Sequence, residues 1–449
     1  MSSPSSRTHV TCVVISMLSL LAVVVGSLLT AENHRPRRNA SYTGVTVDFF
    51  NTTGHDLPGA RRKLPWEVVN TYPDELIFTE HPDTPRVRNP DGSVSVSYFS
   101  SLRKLHPGEV VFTDPDRTKM PMPEGAVAIT SVEADVVDEN KRPVPLTEVY
   151  LHHWILLDKQ HPNDGVCGGY LKYIFGVGAE TRTTPYDFPK YKGNSYGWFT
   201  NPKDTWTANI HVLRTVNINP DMNEGLKGCI ECHGPNRWCH MEGGFTCCPD
   251  HSMCPTIKTG TPSDDPKQYY FHYKVTYFPQ SEPTVKQVAN YILDVSHPTC
   301  NIEYNIPANS AGIDEATVTT TLPHDTRFFQ MWGHIHIAGY NITLYHGDST
   351  AAKPICTSNP GYGTVPNQVG NEKGYVVSMT KCHFVDKPYV IKKGEKITLQ
   401  ALYNVGDEDP RTWNTGHHDG VMGLWFMGGE KCATPGCENE DDGPRHINP

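Results

Sequence analysis

Two short segments set imidazoles at ligand spacing. In Trp332-Gly-His-Ile-His-Ile337 the histidines are two apart. Residues two apart on a strand share a face. His334 and His336 therefore point together, while Ile335 and Ile337 point to the opposite, apolar side. The arrangement is either a two-imidazole chelate or a polar sheet face satisfied by hydrogen bonds. In Leu151-His-His-Trp-Ile155 the pair is adjacent. His152 and His153 serve one metal only where the strand is bulged or ends, using different ring nitrogens. His211 lies in the period-two run Trp206–Val216, opposite Trp206, Ala208, Ile210 and Val212. That alternation does not place it in the core. Met422 lies in Asp419-Gly-Val-Met-Gly-Leu-Trp-Phe-Met427. A strand methionine ordinarily fills core, and its thioether becomes a ligand only for a soft ion such as Cu(I). Three imidazoles at one point and two imidazoles with a thioether at another describe copper sites. Neutral imidazole is the ligand, so acidification is expected to release metal. His417 and His418 read as a polar loop before Met422, with an added ligand or a group behind the ligands as the alternative.

Other chemistries find little support. A net charge of −10 argues against a nucleic-acid partner. Cys229-x-x-Cys232 lacks the second Cys-x-x-Cys of a zinc ribbon. Gly176-Val-Gly178 lacks the third glycine of a dinucleotide fingerprint.

The elements that must carry these residues are strands. Val127–Val137 alternates apolar and polar residues. Val149–Leu157, Trp206–Val216, Tyr269–Phe278, Val288–Val295, Phe328–Tyr345, Lys396–Tyr403 and Gly420–Met427 are rich in β-branched and aromatic residues. No long stretch shows helical spacing. The expected class is all-β, with two antiparallel jelly-roll or β-sandwich domains in tandem. The 449 residues divide into a leader at 1–31, an exposed arm at 32–63, a first jelly roll at 64–282, a second at 283–430 and an acidic tail at 431–449. A Cys-, Gly- and Pro-rich insertion occupies 221–266. Pro279-Gln-Ser-Glu-Pro283 breaks the strand pattern at the boundary.

The leader sets the compartment. Arg7 and His9 precede an apolar stretch from Val10 to Leu29, with small residues after it. A secretory signal is expected, and the body is secreted or luminal. A single-pass anchor is the other reading, and membrane contact arises only if the leader is retained. Cys12 lies in the leader. Twelve cysteines remain, an even set expected to form disulfides: Cys167, Cys229, Cys232, Cys239, Cys247, Cys248, Cys254, Cys300, Cys356, Cys382, Cys432 and Cys437. Asn39, Asn51 and Asn341 head glycosylation sequons.

The order of the histidine segments resembles the copper type II, ascorbate-dependent monooxygenases, the peptide-amidating and dopamine-hydroxylating enzymes. Ile391–Gln400 and Thr415–Met422 are similar in their flanks. A second resemblance, to the plant stress-up-regulated nodulin family, covers roughly residues 95–428. Tyr150-Leu-His-His-Trp154, Gly370–Val377, Gly228-Cys-Ile-Glu-Cys232 with Cys247-Cys248, and His418–Leu424 carry it. The monooxygenase resemblance implies two copper ions. His152, His153 and His211 would hold an electron-transferring copper, and His334, His336 and Met422 the oxygen-binding one. Ascorbate would supply electrons, and an unidentified small molecule or peptide would be hydroxylated at a C–H bond. The segment Gln330-Met-Trp-Gly333 and the Cys-rich insertion depart from the monooxygenases. A secreted copper-holding glycoprotein without turnover, and a jelly-roll binding or structural protein, are the competing readings.

Overall fold

Lys267–Pro279 shows how this chain makes sheets. Tyr269, Phe271, Tyr273 and Val275 are buried, and the residues between them are half-exposed. That is the period of a strand with one covered face. Each such side chain contributes about 1.5–3 kcal/mol on burial. The computed structural model describes residues 76–113, 118–161, 163–165, 173–217, 256–297, 303–306, 312–404, 418–432 and 437. The leader, the arm, residues 221–255 of the insertion and most of the tail lie outside the described residues.

Among the described residues the secondary structure is β-strand with two short 3-10 turns and no α-helix. The expected all-β class holds. Four sheets carry the architecture. The first contains Phe78–Glu80, Val94–Ser100, Lys267–Pro279, Val127–Asp138, Ser195–Thr200 and Val285–Gln287, with short flanking strands. The second contains Val110–Phe112, Trp206–Arg214, Val149–Asp158 and Tyr173–Gly178. The third contains Ala289–Asp294, His418–Lys431, Thr326–Ile335 and Cys382–His383, with Glu303–Ile306 and Tyr389–Ile391 beside them. The fourth contains Ile313–Thr321, Lys396–Asn404, Gly339–His346 and Lys353–Ser358. Pairing within the sheets is antiparallel except between Ser195–Thr200 and Val285–Gln287, which run parallel.

The second sheet packs on the first through Trp154, whose ring lies 5.6 Å from Phe78 and 5.9 Å from Tyr273. Its other face meets the third sheet. The third sheet is covered on both sides. Trp332, Met422, Leu424 and Phe426 enter the first core, while Met331, Ile335, Trp425 and Met427 enter a second core shared with Leu344, Leu399 and Tyr403. Val149–Asp158 is likewise buried at every position. These two doubly covered sheets carry the histidine segments.

One expected element divides. The run Phe328–Tyr345 forms two strands, Thr326–Ile335 and Gly339–His346. Ala338 turns the chain between them at φ 69°. A side chain at 339 would meet Ile335 Cδ1 at 2.4 Å and His336 O at 2.8 Å, which explains the glycine there.

Cys356 and Cys382 form a disulfide with Cα atoms 6.1 Å apart, and Cys432 pairs with Cys437. The other eight expected cysteines, and Asn39 and Asn51, lie outside the described residues. Asn341 sits half-buried in Gly339–His346 with its side-chain oxygen covered, so a glycan there would emerge from a strand and not from a loop.

Candidate metal centre

The histidines meet where the second and third sheets face each other. Trp206–Arg214 pairs with Val149–Asp158 so that His211 lies opposite His153 and Val212 opposite Leu151. The register skips His152. This is a β-bulge, which lets two adjacent side chains serve one point. Ligand atoms of His152, His153 and His211 all lie within 4.8 Å of one another. The alternation places His211 opposite the apolar residues of its strand, yet His211 is 0% exposed. The third sheet covers that face.

His334 and His336 share the face of Trp332, whereas Ile335 enters the second core. They point across the gap toward the first trio. The ring of His336 lies 4.3 Å from His152 and 5.2 Å from His334. His152 in turn lies 4.5 Å from His211 and 5.3 Å from His153. The five imidazoles are therefore contiguous, and ions held by the two groups would be near neighbours. Met422 is buried in the first core. His334 pairs with Leu424, and strand alternation puts Met422 on that same face. His417 lies outside the described residues, and His418, expected in a polar loop, instead opens the strand His418–Lys431, where its backbone pairs with Ile306.

The donor set suits a cation that prefers nitrogen. His152 Nδ1 and His153 Nδ1 are 3.3 Å apart. Two nitrogens bound at 2.0–2.1 Å to a tetrahedral ion would be about 3.3 Å apart. His153 Nε2 donates to Asn209 Oδ1 at 2.6 Å, leaving Nδ1 as its lone-pair atom. Asn209 is itself fixed by donating to Thr113 O at 2.9 Å. Burial, reinforced by the neighbouring imidazoles, holds His152 and His211 well below the ordinary histidine range. Both are neutral at physiological pH, the form that binds metal.

Two residues without a sequence signal complete the site. Glu180, on the buried turn Ala179–Arg182, accepts from His334 Nδ1 at 2.6 Å. The Tyr403 hydroxyl accepts from the His336 backbone N–H at 2.8 Å and donates to the Met422 carbonyl at 2.6 Å. It thus ties the ends of the two strands carrying the second group. At the rim, Tyr150 lies 5.3 Å from His152 and 5.2 Å from Tyr375.

A separate cluster, Asp158, His161 and Asp204, also has mutually close ligand atoms. Its atoms are engaged otherwise. Asp158 accepts from Trp198 Nε1 at 3.2 Å and from the backbone N–H groups of Gln160 and His161, and Asp204 accepts from Asn201 N–H. It caps the end of a strand.

A family model described as "Stress up-regulated Nod 19" matches residues 93–162 and 158–429. No curated protein matches the chain. Among solved structures, the chain is similar to PBCV-1 VP54 fitted into a reconstruction of the virophage Sputnik. The identity is 10% and the TM-score 0.28, covering 76% of this chain and 94% of that one. It is also similar to infectious bursal disease virus, Gx strain, at 10% identity and TM-score 0.16, covering 79% and 73%. A Bacillus subtilis oxalate decarboxylase mutant follows at 9% identity and TM-score 0.11, covering 80% and 78%. Likenesses this low carry no argument about fold or function.

Proposed function

The chain belongs to the stress up-regulated Nod 19 family, and we propose that its buried histidines form a copper centre in a secreted, monooxygenase-like protein. The convergence of His152, His153 and His211 through the bulge, with His336 against His152, carries this reading. Copper is the divalent ion that imidazole sites bind most tightly, and a neighbouring thioether favours its reduced form. When bound, copper would supply one-electron transfer and O2 reduction coupled to C–H hydroxylation, with ascorbate as the reductant. The likeness to copper monooxygenases rests on motif positions alone.

The chain's own residues have definable parts. His152, His153 and His211 present neutral nitrogens from the second sheet. His334 and His336 present theirs from the third, beside Met422. Asn209 and Glu180 hold two of the rings by hydrogen bonds. The surrounding core excludes bulk water, since the five histidines are at most 8% exposed. That burial also favours a second reading, a copper-holding glycoprotein without turnover. The substrate would be a small molecule or peptide. The apolar stretch Val10–Leu29 behind Arg7 supports secretion. Among the described residues no helix is long and apolar enough to cross a membrane.

Metal analysis after copper loading decides the first point: about two ions per chain are expected, and none would defeat the reading. Ascorbate-dependent O2 consumption, corrected for free copper, separates enzyme from holder. Met422→Ile should abolish turnover and keep the copper of the His152 trio. Unchanged turnover would remove Met422 from the site.

A further inference from the structure

The turn that follows Tyr173–Gly178 brings a carboxylate to a histidine of the opposite sheet, 154 residues away. Both partners are buried, with side chains 7% and 6% exposed for Glu180 and His334. The approach is built into the backbone. Gly178 precedes the turn, and a Cβ there would lie 2.7 Å from Glu180 Oε2 and 3.2 Å from His334 Cε1. Only glycine leaves room for the pair.

The turn is pinned on both sides. Thr181 Oγ1 donates to Gly178 O at 2.7 Å, and the Thr184 N–H donates to Glu180 O at 2.9 Å. Arg182 holds Asp135 at 2.6 Å, Glu372 at 2.8 Å and the Val144 carbonyl at 2.6 Å. Glu180 is thus presented by a fixed element, and its carboxylate has a set position relative to the third sheet.

We propose that Glu180 is the positioning residue of the second metal position: by accepting from His334 Nδ1–H it fixes the ring's orientation and leaves Nε2 as the ligand atom. The inference rests on the metal-centre reading above and adds a residue to it. A carboxylate behind a ligating imidazole locks the tautomer and raises the ligand's basicity, and losing one typically costs 10–100-fold in metal affinity. The hydrogen bond also ties the turn Ala179–Arg182, which runs from the second sheet toward the first, to the third sheet.

The test uses the full-length protein with Glu180→Ala and Glu180→Gln, and two readouts. The first, on metal-free protein, is the imidazole 15N shifts of His334, assigned by loss of its signal in His334→Asn. Wild type should show the Nδ1–H tautomer, and Glu180→Ala should shift toward Nε2–H. The second is copper affinity by chelator competition, with pulsed EPR of the remote imidazole nitrogen. Glu180→Ala should weaken one of the two coppers 10–100-fold and change the remote-nitrogen coupling, leaving the other copper alone. Glu180→Gln keeps the shape and an acceptor oxygen without the charge, so it should fall between, and it carries the test if Glu180→Ala does not fold. An unchanged tautomer, or copper affinity within twofold of wild type with an unchanged nitrogen coupling, overturns the proposal. If wild type binds no copper, the copper reading fails by itself. The tautomer experiment then still decides the Glu180 hold on His334: a switch supports it and no switch removes it.

Discussion

Replacing Tyr403 by Phe removes one oxygen atom from the place where three strands meet. Tyr403 lies in Lys396–Asn404 and is fully buried. Its hydroxyl receives the His336 N–H at 2.8 Å and donates to the Met422 carbonyl at 2.6 Å. Burial raises its pKa well above the usual tyrosine range, so the proton stays on. The ring remains in Phe and leaves no large cavity. The cost is therefore that of a buried N–H and a buried carbonyl losing a partner, about 1–3 kcal/mol each. Met422 also sits in a paired strand opposite Glu303, which lowers its share. The expected loss is about 2–4 kcal/mol. Denaturant unfolding of metal-free protein measures it as a lower midpoint with an unchanged slope. Tyr291→Phe is the control, because Tyr291 is equally buried and its hydroxyl bonds Thr326 at 2.9 Å, away from the histidines. Both variants should lose stability, and only Tyr403→Phe should weaken copper at the His334/His336 position. A loss below about 0.5 kcal/mol, within the range of an ordinary surface substitution, would refute the reasoning about the strand ends. Equal copper affinities in the two variants would refute the link to the site.

Gly178→Ala should drive a methyl group against Glu180 Oε2 and the His152 carbonyl, 2.7 and 3.0 Å from the new atom. It is expected to cost about 1–3 kcal/mol and to weaken copper, and an unaltered melting temperature would count against the close approach. The buried Glu109 carboxyl is pushed up to about 7 by desolvation. A raised folded pKa means its contribution is complete below pH 4.5 and is lost as pH rises through 7, a swing of roughly 3 kcal/mol at about 1.36 kcal/mol per unit. Glu109→Gln should flatten that slope in unfolding measured from pH 4.5 to 8, and an identical slope would contradict the assignment. The Cys356–Cys382 disulfide spans 26 residues, and its loss in the double serine variant should cost about 3.5 kcal/mol by loop entropy. Free-thiol labelling of unreduced, denatured protein at either cysteine would contradict the pairing.

How much of this was legible depends on range. The shared face of His334 and His336 follows from alternation alone, and the structure has it. The adjacency of His152 and His153 requires either a bulge or a strand end if they are to serve one ion, and the register shows the bulge. The burial of His211 was not legible. Strand periodicity reports which residues share a face, and only tertiary packing says that a second sheet covers that face. The break at Ala338 escaped because β-branched and aromatic residues continue on both sides of it, and the turn is made by one positive φ and one glycine. Glu180 and Tyr403 gave no signal. Glu180 lies on a four-residue turn, and its partner is 154 residues away. Tyr403 reads as an ordinary core aromatic of its strand, and its hydroxyl's partners are set only by the docking of the fourth sheet on the third.

That dependence on docking has an energetic consequence. The candidate ligands come from two sheets, so neither sheet alone presents the full set. The trio belongs to the second sheet, and His334, His336 and Met422 belong to the third. The face between them is lined by five imidazoles that would be costly to bury without partners. Hydrogen bonds donated to Asn209 and Glu180 offset part of that cost at His153 and His334. A cation that binds only the docked arrangement adds RT ln(1 + [L]/Kd), about 2.7 kcal/mol at a hundredfold excess over Kd. Metal loading should therefore stabilise the contact between the second and third sheets most. The third sheet is a wall of both cores, so the added stability reaches each of them. A structural jelly roll with histidines satisfied only by hydrogen bonds would show no such linkage, and the dependence of unfolding on copper concentration separates the two physical pictures without any knowledge of the substrate.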